Sequence, residues 1–461
     1  MNETRELVEF LAALRPEDLP AEVFDRTRYL LLDYLGVAIR GSREESSAPV
    51  YKMIQRMNAG ALAGYVALAN GTAAHAIEMD DTHNAGSIHL GVVMFSAALA
   101  LAESLPDVSV EQFTAAVVAG YEAAARIAMA LQPKEHYSLG FHPTATCGAF
   151  GAAVTASKLL NLTAGQMLFA FGIAGSMAAG SMEFLAEGAW TKRLHAGLAA
   201  QNGIQAAMLA AEGFRGPSTI LEGRDGFLSG HSKKPLPELI ARDLGACFEI
   251  MRTSVKPHAC CRYMQGPIDG VLALVQEHGI QPDEILRIEV AVLEAGWGLV
   301  AEPRAQKYNP QSIVEAQFSM PFGAAVAAMY RAAGIDQFTE ENLCSRSVQR
   351  TLQKVVLAKD SRIEENFPEQ WPARVEIELN DGRRFEKFIA HPKGDPKNPL
   401  SWDELIAKFQ SLAAPVVGLE RCEELVELIR GPELGARGWG LLPQCCYRVD
   451  AGGAPGGDSG G

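Results

Sequence analysis

A surplus of positive charge is the first thing this chain lacks. It has 41 Lys and Arg against 55 Asp and Glu, a formal net charge of −14. That argues against a nucleic-acid surface, whose affinity rests on clustered cations meeting phosphates. A small anionic ligand stays open, because a few local Lys, Arg and His side chains make a cationic pocket on an acidic protein. Cysteine is sparse too, with eight in 461 residues. The adjacent pairs Cys260-Cys261 and Cys445-Cys446 lack the CxxC spacing of zinc and iron–sulfur sites. Reduced thiols are therefore expected, with no disulfide framework and no metal cluster. No uninterrupted apolar run reaches the 18 or so residues of a membrane span. The opening MNETRELVEFLAAL carries acids at helical spacing, which suits neither a signal nor a transit peptide. The expectation is a cytoplasmic protein with no membrane partner.

What is present is helix. A 48% hydrophobic and 21% charged composition is that of a globular protein, and 461 residues exceed one ordinary core. Apolar residues fall at helical spacing from Glu3 to Arg40, broken by Pro16 and Pro20. Further helices are expected at Ala48–Met57, Val110–Leu131, Asn161–Ser181 and within Glu187–Pro217. From Ile285 the period changes to two. ILRIEVAVLEAG alternates, as does ARVEIELNDGRRFEKFIAH, a hairpin turning at Asn380-Asp381-Gly382. Two helices are expected between these strands, VEAQFSMPFGAAVAAMYRAAG (Val314–Gly334) and NLCSRSVQRTLQKVVLAKD (Asn342–Asp360), and SWDELIAKFQSLAAP returns to helix behind a Ser401 cap. The fold class is thus mainly α: a large all-helical domain (1–256 and 395–445) with a smaller inserted α+β domain (257–394) acting as a lid. Residues 446–461, rich in glycine, are expected to be a disordered tail. Long Ala-rich helices with an apolar stripe suggest a homodimer.

The chemistry concentrates between Asn70 and Glu103. His75, His83 and His89 share fifteen residues with Glu78, Asp80 and Asp81, directly before the apolar run Val92–Ala102. Acids and imidazoles against a buried helix are costly unless each finds a partner. One reading is a capped helix start, with Asp81 or Thr82 as the cap and the histidines on a wet loop. The other is a binding or catalytic site. Three more segments carry similar groups in apolar surroundings: His142 in GFHPTATCGAFGAA, Lys192 and His195 in TKRLHAGLAA, and Lys256, His258, Arg262 and Tyr263 in VKPHACCRYMQG. Lys192 and His195, three apart, share a helix face.

These segments resemble the MmgE/PrpD family over roughly Glu6 to Leu412. NGTAAHAIEMDDTH, FHPTATCGAFGAA, KRLHAGLAA and the Lys256–Tyr263 stretch carry the likeness. The family includes 2-methylcitrate dehydratases, cis-aconitate decarboxylases and iminodisuccinate epimerases. This chain departs from the family pattern at Glu78 (usually Asp), Leu90 (usually Pro) and Phe322 (commonly Tyr). The resemblance implies an enzyme that moves a proton next to a carboxylate of a small di- or tricarboxylate, without cofactor or metal. On that reading His89, His142, Lys192, Asp80 and Thr82 are catalytic. Asp81, His83, His195, Lys256, His258, Arg262 and Tyr263 bind substrate.

A histidine is the natural base or acid near neutrality, and the lysines with Arg262 would hold carboxylates and the developing enolate charge. From such an intermediate water, CO2 or a returning proton are all possible outcomes, and dehydration is the favoured one. Two competitors stand beside this reading. One is a metal-dependent hydrolase using Asp80, Asp81, His83 and His89 as ligands. The other is a non-catalytic helical binding protein.

Overall fold

Small residues every third or fourth position let the central helices of this protein meet backbone to backbone. The structure, a computed structural model, describes residues 2–431 together with Leu434 and Trp439. The proposed tail at 446–461 lies outside the described residues. The fold is mainly α. Its centre is the Thr191–Ala211 helix, which packs against Ala63–Ala74, Gly91–Ser104, Pro143–Leu159 and Ala164–Met177. Where it crosses Ala63–Ala74, a Cβ on Gly71 would lie 2.7 Å from the Gly197 Cα. A Cβ on Gly197 would run into the Leu68 carbonyl. Only glycine permits that approach.

The Val110–Leu131 helix starts at a Ser109 cap, whose hydroxyl accepts from the Gln112 N–H while Gln112 reaches back to the Ser109 N–H. It is long and apolar enough by composition to cross a membrane, although Glu122 and Arg126 interrupt its apolar run. Here it is enclosed by protein, and its Glu122 and Arg126 pair at 2.8 Å inside the fold. The two N-terminal helices are Glu3–Ala13 and Ala21–Gly41, parted by the prolines as expected.

Among the described residues, strand longer than two residues occurs only between 285 and 389. Four strands form one sheet in the order Val355–Ala358, Ile285–Ala291, Ala373–Leu379, Arg384–Ile389. The first pair is parallel and the others antiparallel. The hairpin turns at Asn380, Asp381 and Gly382, with Gly382 at φ +87°. That is the three-residue turn in which glycine takes the left-handed position. The Arg262–Glu277 helix covers one face of this hairpin.

Two expectations between the strands need correction. The segment around Phe318 is two helices, Ile313–Gln317 and Met320–Tyr330, divided where Ser319 caps the second and Pro321 enters its first turn. Val355–Ala358, read as the end of a helix, is a strand. Its β-branched Val355 and Val356 pair in parallel with Ile288 and Glu289, a contact that helical periodicity does not register. The Trp402–Val417 helix, capped by Ser401 with Glu404, lies along Ala21–Gly41, where Lys408 pairs with buried Asp33.

Candidate active site

The Ala63–Ala74 helix stops at His75, and the chain loops to the next helix start at Gly91. Within this loop Glu78 takes a φ of +58°, a conformation uncommon outside glycine. Its carboxylate pairs with Lys192 through one oxygen and lies 3.6 Å from the Lys256 ammonium through the other. Asp80 Oδ1 is 3.4 Å from Lys256, and Asp80 Oδ2 lies 2.8 Å from both His75 Nδ1 and His89 Nδ1. Lys192, Glu78, Lys256, Asp80 and the two imidazoles thus form one continuous buried ladder. Its two ammonium and two carboxylate charges cancel.

Burial alone would raise the carboxyl of Glu78, but Lys192 and Lys256 outweigh it and hold the group below its ordinary range. Asp80 is held well below in the same way by His89, Lys256 and His75. Burial would lower Lys256, yet Asp80 and Glu78 keep its ammonium above the ordinary value. The histidines go the other way. Burial, aided by Lys192, pushes His75 down to about 3, and burial lowers His89 against the pull of Asp80. All are neutral imidazoles around pH 7 in the unliganded protein.

His142 enters from another direction. Pro143 confines it to extended backbone at the start of the Pro143–Leu159 helix, and its N–H donates to the Gly180 carbonyl at 3.0 Å. His142 Nδ1 lies 3.0 Å from His195 Nδ1. Burial, His195 and Lys192 hold His142 well below its ordinary pKa, and burial with Lys192 brings His195 to about 4. Two neutral rings that meet nitrogen to nitrogen must share one hydrogen between them. If His142 donates it, His142 Nε2 is a free base; if His195 donates it, His142 Nε2 carries a proton. The pair is a tautomeric relay.

Glu78, Thr82, His89, His142, Lys192, Arg262 and Tyr263 line one cleft, joined by Ser87, Tyr137, Met182, Phe184, Cys261, Leu299 and Phe318. Counting the space open to solvent, these side chains surround about 430 Å³. Phe318 sits under the Lys192 ammonium at 5.4 Å. Arg262 donates to the Asn84 side-chain oxygen at 3.2 Å, the Ser254 hydroxyl at 3.2 Å and Asp395 at 3.3 Å, above the Trp371 ring. It thereby ties three distant parts of the chain to the cleft wall.

The sequence model of the MmgE/PrpD N-terminal domain matches residues 5–240, and that of the C-terminal domain matches residues 258–430. The chain belongs to the MmgE/PrpD family. Among curated members, it is 29% identical to a cis-aconitate decarboxylase-like protein, oryM, of Aspergillus oryzae, over 94% of this chain and 95% of that one. It is 27% identical to the cis-aconitate decarboxylase of Aspergillus terreus (93% and 92% covered) and 27% identical to that of Homo sapiens (91% and 89% covered).

Not every residue singled out in this MmgE/PrpD chain reaches the cleft. Asp81 accepts from the Tyr121 hydroxyl at 2.7 Å and the Gly91 N–H at 2.9 Å, so it caps the Gly91–Ser104 helix from ten residues upstream. Burial raises its carboxyl to about 7 despite those two donors. The expected local cap is therefore corrected: Leu90 holds the N-cap position, Asp81 serves the first helical N–H from a distance, and His75 and His83 are buried rather than on a wet loop. His83 Nε2 meets Glu249 at 2.9 Å, and His258 Nε2 meets Asp269 at 2.9 Å; neither lines the cleft. Lys256 is fully buried beneath the cleft, bracing Glu78 and Asp80. Phe322 packs in the interior against Phe338, and Leu90 is buried just before the Gly91–Ser104 helix.

The ligand set Asp80, Asp81, His83 and His89 of the hydrolase reading does not converge. Among the described residues it is His75, His89 and His142 whose nitrogens lie within 4.8 Å of one another. His75 and Glu78 stood in the same motif as Asp80, so the motif itself held the signal for both. Phe318, Tyr137 and Ser87 carried none, because only folding brings them to the cleft.

Proposed function

We propose that this protein is a carboxy-lyase acting on a small unsaturated tricarboxylate of the cis-aconitate kind. The carrying observation is the His142–His195 relay at the wall of a cleft whose lysines are already charge-balanced. The names of the relatives favour loss of CO2 over dehydration, the outcome favoured from the sequence although its motifs do not choose among the three. In this reading the C–C bond to one carboxylate breaks and CO2 departs. The electron pair left behind spreads through the adjacent double bond toward a second carboxylate, and a proton is delivered to carbon at the far end.

Lys192 and Arg262 hold the retained carboxylates and stabilise that spread charge. His142 delivers the proton, with His195 exchanging hydrogen behind it. His89 stands beside His142, with ring centres 6.4 Å apart, and Thr82 Oγ1 is 3.4 Å from His89 Nδ1. Neutral imidazoles make poor acids, so the proton must arrive with the substrate. A polyanion entering beside His89 and His142 raises their pKa and charges them.

Incubation with cis-aconitate in D2O tests this. The expected result is CO2 together with a product carrying one new C–D bond. Water gained or lost without CO2 would return the assignment to dehydration, and exchange without net reaction would point to epimerisation. The homodimer also remains a proposal. The Ala-rich helices that suggested it are buried within the chain, but Met53, Met57 and Leu62 are exposed on the Ala48–Arg56 helix and the loop after it. Light scattering decides it: a monomer mass ends the idea.

A further inference from the structure

Two imidazoles that line the cleft, His89 and His142, and a third buried behind them, His75, share an arrangement that the proton relay does not need. His75 stacks on His142 at 5.8 Å between ring centres, and His89 stands edge-on to His75 at 4.8 Å. Each ring has its Nδ1 engaged from behind. Asp80 Oδ2 takes that of His75 at 2.8 Å; Asp80 Oδ2 and the Asp81 carbonyl take that of His89, each at 2.8 Å; His195 meets that of His142 at 3.0 Å. The far nitrogen of His75, Nε2, is fully buried and has no hydrogen-bond partner. An imidazole anchored by a carboxylate through one nitrogen, with its other nitrogen free, is how metal-binding histidines are oriented and made more basic.

We propose that His75, His89 and His142 form a three-histidine site for a divalent transition metal of the zinc or cobalt type, whose occupation blocks turnover. One nitrogen from each ring already lies within 4.8 Å of the others. A tetrahedral centre with bonds of about 2.0–2.1 Å needs nitrogens about 3.3 Å apart, so the rings close in by up to about 1.5 Å. Three neutral imidazoles suit zinc, cobalt, nickel or copper better than magnesium or calcium. The charge of the ion meets no unbalanced cation, since Glu78 and Asp80 offset Lys192 and Lys256. The fourth position would face the cleft. The blocking half rests on the lyase reading: a nitrogen lone pair bound to metal cannot carry the proton that His142 delivers.

The test strips the full-length protein with chelator and titrates it with Co2+, following the visible bands of four-coordinate cobalt. One ion per chain is expected. His75→Gln and His142→Gln should each lose at least ~10–100-fold in affinity, the cost of disturbing even a residue that merely supports a ligand. His258→Gln, paired with Asp269 outside the cleft, should bind like the parent. Should the cluster variants misfold, anomalous scattering from cobalt-soaked crystals of the parent gives the answer, and an ion lodged elsewhere overturns the site. No cobalt bands, or equal affinity in all variants, overturns it as well. Equimolar Zn2+ should silence decarboxylation by the stripped protein, and chelator should restore it. Unchanged or raised turnover with the site filled refutes the block. A stripped protein that turns over no carboxylate fails the lyase reading and the block with it, while the cobalt titration still judges the site.

Discussion

At the scale of single residues, the partner decides what a charged group does. His142 and His258 are both buried imidazoles in basic motifs, yet one meets His195 beside the cleft and the other meets Asp269 away from it. Replacing His142 by Gln should lower decarboxylation by about 10²–10⁴, the usual worth of general acid–base catalysis. His258→Gln should leave turnover close to the parent's, and equal losses in the two would refute the relay. Asp81 makes a different prediction. Its folded carboxyl titrates near 7 and an unfolded one near ~3.9, so between those values the folded state holds a proton that the unfolded state has lost. This contribution to stability is complete below about pH 4 and disappears as pH rises through 7, on the order of a few kcal/mol. Asp81→Asn keeps an oxygen for Tyr121 and Gly91 but cannot titrate. Urea unfolding across pH 4–8 should show a shallower slope in the variant, and identical slopes would refute the assignment.

At the scale of elements, the Gly71–Gly197 crossing carries the geometry of the site, because it presses the helix ending at His75 against the helix beginning beside Lys192. Gly197→Ala puts a methyl against the Leu68 carbonyl, and overpacking of this kind costs about 1–3 kcal/mol. Thermal unfolding should show the loss, and turnover should fall with it as Glu78 and Lys192 are pushed apart. An unaffected melting temperature would mean that the helices separate freely. Elements were also the most legible level of the sequence. Val110–Leu131 is legible to the residue because its apolar stripe keeps helical spacing from end to end. Val355–Ala358 was missed because four residues at a helix end carry too little pattern, and their partner strand lies about seventy residues earlier. The site was legible by residue type only. Its motifs offered the histidines and lysines that the fold brings together, but Lys192 lies 114 residues from Glu78, and no local spacing shows that they pair.

At the scale of the whole molecule, a strongly acidic protein is proposed to receive a polyanion in a cleft of zero net charge. The cost is met by protonating imidazoles that burial had kept neutral. Binding of a tricarboxylate near pH 7 should therefore take up on the order of one proton. Calorimetry in two buffers of different ionisation enthalpy measures it, and a heat independent of buffer would sink the idea.

The Arg262–Asp395 tie has a consequence for how the protein is made. Synthesis runs from the amino end, so the helices up to residue 240 leave the ribosome about 155 residues before Asp395 does. At ~5–20 residues per second that interval is roughly 8–30 s. Through it Glu78 and Asp80 wait without Lys256 for their share of the first part of it, and Arg262 then waits without its acid. A nascent chain can thus have its central helices in hand while Ala21–Gly41 still waits for Trp402–Val417 and Arg262 for Asp395.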